Sequence, residues 1–333
     1  MRACLLASIV VLVSNPVLYG QLSDFNRTDF KEADRIAELY PRHSLKDLKV
    51  LSDKLTQPLS TDVEKFRAIF KWVCLNIESD YALFVENKNM RGKLSGEKLS
   101  KWEENFSGRV FSVMTAHHRT ICTGYAYLVK ELAFHAGMNC RILDGYGRHA
   151  NANIGGCGIV NHSWNAIELQ GKWYLCDPTW ASGSMDSQRE LFIRKFDDAY
   201  FLAEPSLFVR NHYPLDMKWT LLDEKPSLQT FLNGPLVYIV SLRYNVQPLA
   251  PTLFNIEVDR GGDVFFKFIS NGEFTKAVLY VENTRVDDFF TIEKEQGMAT
   301  YSSCYKFSRK GIYAVHIRLD DNTVLSYRVQ VRQ

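Results

Sequence analysis

The stretch Asn161-His162-Ser163-Trp164-Asn165-Ala166-Ile167-Glu168-Leu169-Gln170-Gly171-Lys172-Trp173-Tyr174-Leu175-Cys176-Asp177 decides the fold. Two strand-like runs, Val160 to Leu169 and Lys172 to Asp177, flank the turn signal Gln170-Gly171, so the stretch reads as a β-hairpin. A two-residue turn sets Leu169 opposite Lys172 and Trp164 opposite Asp177, with His162 diagonal to the acid. Diagonal partners stay within about 7–8 Å, which an imidazole and a carboxylate can bridge. Alternation puts His162, Trp164 and Ala166 on one face of the first strand, and Trp173, Leu175 and Asp177 on one face of the second. A histidine and an acid so placed suit a base held in one tautomer. Each also has a plainer use, as a strand polar group or, for Asp177 before Pro178, as a turn former.

Upstream, Tyr125, Val129, Leu132 and Ala136 fall on one face of a helix that starts near Cys122, and Gly137 is placed to cap its end. Unpartnered N–H groups and the positive end of the dipole at a helix start stabilise a thiolate, and they can hold an oxyanion. Gly124 leaves that start uncrowded. Cys140 to Tyr146 reads as a strand, and Gly147 to Gly158, rich in Gly and Asn, as a loop. A cysteine at a helix start, then His162, then Asp177 on adjacent strands is the order of a thiol nucleophile, a base and an orienting acid.

The segments Ile121 to Ala126, Asn161 to Ala166 and Cys176 to Gly183 resemble the three core motifs of the transglutaminase-like superfamily. Trp72-Val73 to Asn76-Ile77, with Asp80, resembles the helix that precedes them. Phe201-Leu202 to Pro205, with His212, Pro214 and Trp219 to Leu222, is similar to the segment after the core in the kyphoscoliosis-peptidase-like branch. The resemblance covers roughly residues 60 to 225. It implies an α+β, papain-like core in which the nucleophile helix packs on an antiparallel sheet. It implies amide chemistry through a thioester, either hydrolysis of a peptide or transfer of a glutamine acyl group to an amine, with hydrolysis favoured. Cys122, His162 and Asp177 match the catalytic triad position by position. Two departures are Ser163, where alanine is usual, and Ser79, where an aromatic residue usually precedes the acid. Tyr125, Trp164 and Trp180 are the candidate substrate-binding residues, with Trp173 a further aromatic nearby; at least one of the tryptophans belongs to the core. His117-His118 reads as a loop near the site. No acidic loop has calcium-ligand spacing and no C-x-x-C pair occurs, so no metal and no cofactor is expected.

Towards the N-terminus, Thr61-x-x-Glu64 is a capping box. It precedes Val63, Phe66, Ile69, Phe70, Val73, Cys74 and Ile77 at helical spacing. A shorter helix is expected from Ser44 to Leu55, and the polar residues 86 to 101 read as a surface loop. Composition shifts near Pro226 to Pro235. Beyond it, strand-like runs (Asp263 to Ile269, Lys276 to Val281, Thr300 to Phe307, Ile312 to Leu319, Val324 to Val331) alternate with turn signals such as Asn271-Gly272. That spacing predicts an antiparallel, Ig-like β-sandwich. The expected division is a signal peptide at 1–20, a catalytic domain at 21–233 and the sandwich at 234–333.

The chain has 333 residues, 46% apolar and 23% charged, which suits a globular protein and excludes a disordered one. Its net charge of +2 comes without a basic run, so nucleic acid is not an expected partner. A protein or peptide substrate is, with a cell-wall peptide as one candidate. Arg2 and the uncharged run Ala3 to Gly20 have the layout of a signal peptide, which predicts a secreted or periplasmic protein. No later apolar run is long enough to span a membrane. With Cys4 in the leader, Cys74, Cys122, Cys140, Cys157, Cys176 and Cys304 remain, enough for three disulfides, or for fewer if one thiol is catalytic. Cys157 and Cys176 are one candidate pair. The competing function is a catalytically silent binding or scaffold protein that uses the same fold, and the intact Cys-His-Asp set argues against it.

Overall fold

The computed structural model describes residues 21–333 apart from 187, 239, 287–289 and 296–297, so the expected signal peptide lies outside the described residues. Three helices open the chain: α1 (Lys31–Glu38), α2 (Leu48–Thr56) and α3 (Asp62–Asn76). At α3 the Thr61 side chain accepts from the Glu64 N–H while the Glu64 carboxylate accepts from the Thr61 N–H, the expected capping box. Such a cap contributes about 1 kcal/mol. Trp72, Phe66 and Phe70 are buried, so α3 is a core helix rather than a surface one. The α2 helix starts later than expected because the Asp47 carboxylate accepts from the Val50 N–H and sets the first turn there.

Residues 86 to 101 are not a surface loop. They end α4 (Tyr81–Lys93) and begin α5 (Gly96–His117). Asp80 caps α4 by accepting from the Leu83 N–H at 2.9 Å. On α5, Phe106, Val110 and Met114 are buried at four-residue spacing, with Trp102 half-buried one turn earlier. Lysines and glutamates cover the other faces, so the apolar signal is only one residue per turn. Between these helices and the next, β1 (Glu78–Ser79) pairs in parallel with β2 (Arg119–Thr120).

The α6 helix (Cys122–His135) buries Tyr125, Leu128, Val129, Leu132 and Ala133, and ends before Gly137, whose φ of +79° is the left-handed cap that glycine permits. It lies on a sheet of β3 (Cys140–Gly147), β4 (His162–Leu169), β5 (Lys172–Cys176) and β8 (His212–Pro214), ordered β5-β4-β3-β8 and antiparallel throughout. The β4–β5 ladder runs from Leu169 opposite Lys172 to Asn165 opposite Cys176, the register a two-residue turn demands. Gln170 and Gly171 both have positive φ, as that turn requires. After β5 come α7 (Pro178–Ser182) and the short hairpin of β6 (Gly183–Asp186) and β7 (Leu191–Arg194). One apolar core, from Phe25 to Leu221, joins α1–α3, α6 and α7 to β3–β5, while Leu83, Phe106, Val110 and Ile121 form a smaller cluster of their own.

A second core runs from Val237 to Val331 between two further sheets. One is ordered 247–250, 263–270, 298–306, 291–295. The other is ordered 255–258, 322–331, 311–319, 277–281, 284–286, with 236–237 beside 322–331. This is a β-sandwich, and each strand run singled out in the sequence lies within or against one of its strands. Among the described residues it departs from a purely antiparallel sandwich where Asn255–Val258 runs parallel to Asn322–Val331. All six described cysteines are free, so neither a Cys157–Cys176 bridge nor any other disulfide forms among them. Cys74, Cys140 and Cys176 act as small core residues, while Cys157 and Cys304 sit exposed on separate elements.

Candidate active site

Cys122 is the first residue of α6 and is partly exposed. The chain reaches it in extended conformation from β2, and Gly124 lets that approach be close: a Cβ there would lie 1.9 Å from Thr120 Oγ1. His162 opens β4, and Asp177 follows β5 as the N-cap of α7. The structure brings the three together. His162 Nε2 is 2.7 Å from Asp177 Oδ2, and the Cys122 thiol and the His162 ring are close enough for each to shift the other's protonation. With Nε2 spent on the acid, Nδ1 is the nitrogen left for sulfur.

The electrostatics follow from burial and from these contacts. Burial pushes the Cys122 thiol up, but the hydrogen bond and charge of His162 and a hydrogen bond from the Ser163 N–H bring it below its ordinary value. Burial disfavours a charged His162, and the Asp177 carboxylate outweighs it, so the imidazole is held well above its usual range. Burial likewise raises Asp177, and its histidine partners reverse the sign and keep it ionised. The arrangement therefore favours thiolate and imidazolium over thiol and imidazole.

Asp177 does more than face one ring. Its Oδ1 accepts from the Thr179 and Trp180 N–H groups at 2.8 and 3.2 Å, which starts α7. Its Oδ2 also accepts from His212 Nε2 at 2.9 Å. His212 was legible only as part of the resemblance after the core; no spacing rule connects it to residues 35 positions earlier in the chain. His162, Asp177 and His212 have ligand-type atoms within 4.8 Å of one another. Those atoms already satisfy each other as two N–H donors on one carboxylate oxygen, so the group reads as a hydrogen-bond cluster.

The aromatic candidates separate. Tyr125 is 0% exposed and donates its hydroxyl to the Ile77 carbonyl, and Trp164 is 1% exposed against Phe208 and His212. Neither has surface to offer a substrate, which corrects the expectation that they line a groove. Trp180 is half-buried and stacks on His162 at 4.8 Å, so of the three it alone lies over that ring with exposed area. Trp173 packs on Trp219 instead. His118 is buried and contacts the His43 carbonyl through Nε2, while His117 ends α5, so that pair forms no part of the cluster.

Residues 49–178, which include Cys122, His162 and Asp177, match the transglutaminase-like superfamily. The chain thus contains a transglutaminase-like domain. Its branch is the kyphoscoliosis-peptidase-like one. Kyphoscoliosis peptidase of Homo sapiens and that of Mus musculus are each 32% identical to it over 200 residues, 60% of this chain and 27% of theirs. Hillarin of Drosophila melanogaster is 26% identical over 231 residues, 66% of this chain and 26% of its own. The chain therefore spans about a quarter of the length of the curated relatives it matches. Among the described residues no helix is long and apolar enough to cross a membrane.

Proposed function

We propose that this protein is a cysteine enzyme that acts on peptide or glutamine-type amide bonds, with Cys122, His162 and Asp177 as its triad and hydrolysis as the favoured outcome. The observation that carries the reading is the ordering of one imidazole between a carboxylate at 2.7 Å and a thiol at a helix start. The Cys122 thiolate attacks the substrate carbonyl, and the developing oxyanion sits against the Cys122 N–H, the first of the helix. His162 gives its Nδ1 proton to the departing amine, and the carbonyl carbon stays on sulfur as a thioester. Neutral His162 then takes a proton from water, which attacks the thioester and releases the acid and the thiolate. A lysine amine in place of water gives a cross-link instead. Asp177 holds the ring in the tautomer that both steps need.

Hydrolysis is favoured because two of the relatives are named peptidases. The substrate is a protein or peptide; a cell-wall peptide has no support among the relatives, which are animal proteins. Export rests on the uncharged run Ala3 to Gly20, and the free thiols add no disulfide argument for it. The test is capture of acylated protein on a Cys122→Ser variant, with the adduct read by mass spectrometry. An ester on the introduced serine hydroxyl, with a free acid as the product of the native enzyme, supports hydrolysis. Native turnover that survives Cys122→Ala overturns the reading.

A further inference from the structure

His212 is 1% exposed and opens β8, where it pairs with Gly147 of β3. On the other side of β3, His162 pairs with Gly145. Gly147 has no side chain, and a Cβ there would lie 2.8 Å from His162 Cβ. The two rings lie 5.3 Å apart between centroids, and both reach Asp177. His212 is clamped in place. It stacks on Phe208 at 4.0 Å with planes 16° apart, and Trp180 covers it at 4.4 Å. Its Nδ1 is 2.6 Å from the side-chain oxygen Oδ1 of Asn211.

We propose that His212 is a positioning residue of the site: its Nε2–H shares Oδ2 of Asp177 with the Nε2–H of His162 and so limits how tightly that carboxylate holds the His162 proton. Two donors on one oxygen divide its acceptor strength, and a carboxylate relieved by a second donor is a weaker base toward the first. His212 must give its proton to Asp177 without adding a second positive charge. Its surroundings suit this. The titratable groups facing the ring are Asp177 from α7, His162 from β4 with Cys122 behind it, and Tyr200, which burial keeps protonated. Arg148, which follows β3, turns its guanidinium to the carbonyls of Asn153, Gly234 and Pro235. Burial thus leaves His212 neutral, with its usual value lowered to about 4 despite the acid. A neutral His212 with its proton on Nε2 requires the Asn211 amide in its flipped orientation, with the N–H rather than Oδ1 facing Nδ1.

The inference rests on the thiolate–imidazolium reading of Cys122 and His162. The test is the pH dependence of Cys122 alkylation by iodoacetamide in the native protein, His212→Phe and His212→Gln. Phenylalanine keeps the stacking and removes the donor; glutamine keeps an N–H of similar reach. In the native protein the rate rises in one step as the ion pair forms and in a second as the imidazolium loses its proton. In His212→Phe the unshared carboxylate binds the imidazolium more firmly; this stabilises both species of the first step alike, so that step stays in place and the second moves up by about half to one pH unit. His212→Gln recovers most of the native profile. Variants that match each other, or a His212→Phe ion-pair window that narrows, overturn the role. A native protein without the first step overturns the ion-pair reading itself. Ring ¹⁵N shifts of the native protein give an answer that needs no variant: His212 stays neutral and Nε2-protonated from pH 5 to 9, and a His212 that titrates like a free imidazole overturns the proposal.

Discussion

His162 and Asp177 meet at 2.7 Å although they are diagonal, not opposite, across the β4–β5 ladder. The ladder ends at Asn165 opposite Cys176, and the chain turns into α7 at Asp177. That turn lets the carboxylate reach back over the position facing Trp164. A cap that starts a helix is thus also the acid that orients an imidazole.

Cys122 should be the most reactive thiol of the chain at mildly acidic pH. Its sulfur is held below its ordinary value by His162, whereas burial pushes Cys74, Cys140 and Cys176 up. Site-resolved alkylation by mass spectrometry at pH 6 should label Cys122 ahead of the exposed Cys157 and Cys304. His162→Ala should slow Cys122 by about 10-fold or more, since thiolate character then rests on the helix start alone.

Asp177→Asn should cost more catalysis than its small change in shape suggests, by roughly 10²–10⁴-fold in turnover, because an amide presents the wrong partner to Nε2. Asp177→Ala should also destabilise the fold by about 2–4 kcal/mol in urea titration, since it strands two backbone N–H groups and His212. The pH sign follows from the lowered carboxyl. A native value below the unfolded value of about 3.9 stabilises the fold above that pH and is lost as pH falls towards the native value. Asp177→Ala should therefore flatten the acid side of the stability curve. His162 acts in the opposite sense. Its raised value stabilises below about 6.5, and that contribution fades as pH rises towards the native value.

Gly124→Ala should be disruptive despite alanine's better helix propensity. The new methyl would sit 1.9 Å from Thr120 Oγ1, so β2 or the start of α6 must move. A loss of about 1–3 kcal/mol is expected from such overpacking. Adding Thr120→Ala removes the nearest atom and should recover part of the loss, a coupling that a double-mutant cycle measures.

Arg148 should resist replacement by lysine. Its guanidinium is buried and donates to the carbonyls of Asn153, Gly234 and Pro235, so it pins the loop after β3 to the strand of chain that enters the sandwich. An ammonium keeps the charge but cannot present the planar fork. Arg148→Lys should cost about 2–3 kcal/mol in urea titration, the scale of lost hydrogen bonds at a charged group. An unchanged midpoint would show that the fork contributes nothing.

The sequence by itself determined the local geometry. Gln170-Gly171 dictated the register of β4 and β5, Thr61 and Glu64 the start of α3, and Gly137 the end of α6, because each is set by neighbours within a few residues. The same short-range rules placed Cys122 at a helix start and His162 within reach of Asp177. They missed α4 and α5, where one apolar residue per turn among lysines and glutamates looks like a solvated loop until Leu83 and Ile121 supply the surface that Phe106 and Val110 pack against. They could not separate Trp180 from Trp164 and Tyr125, since burial depends on what the rest of the chain lays over each ring. Nor could they join His212 to Asp177. That contact requires β8 to pair with β3 on the side away from β4, a condition that exists only once the strands are assembled.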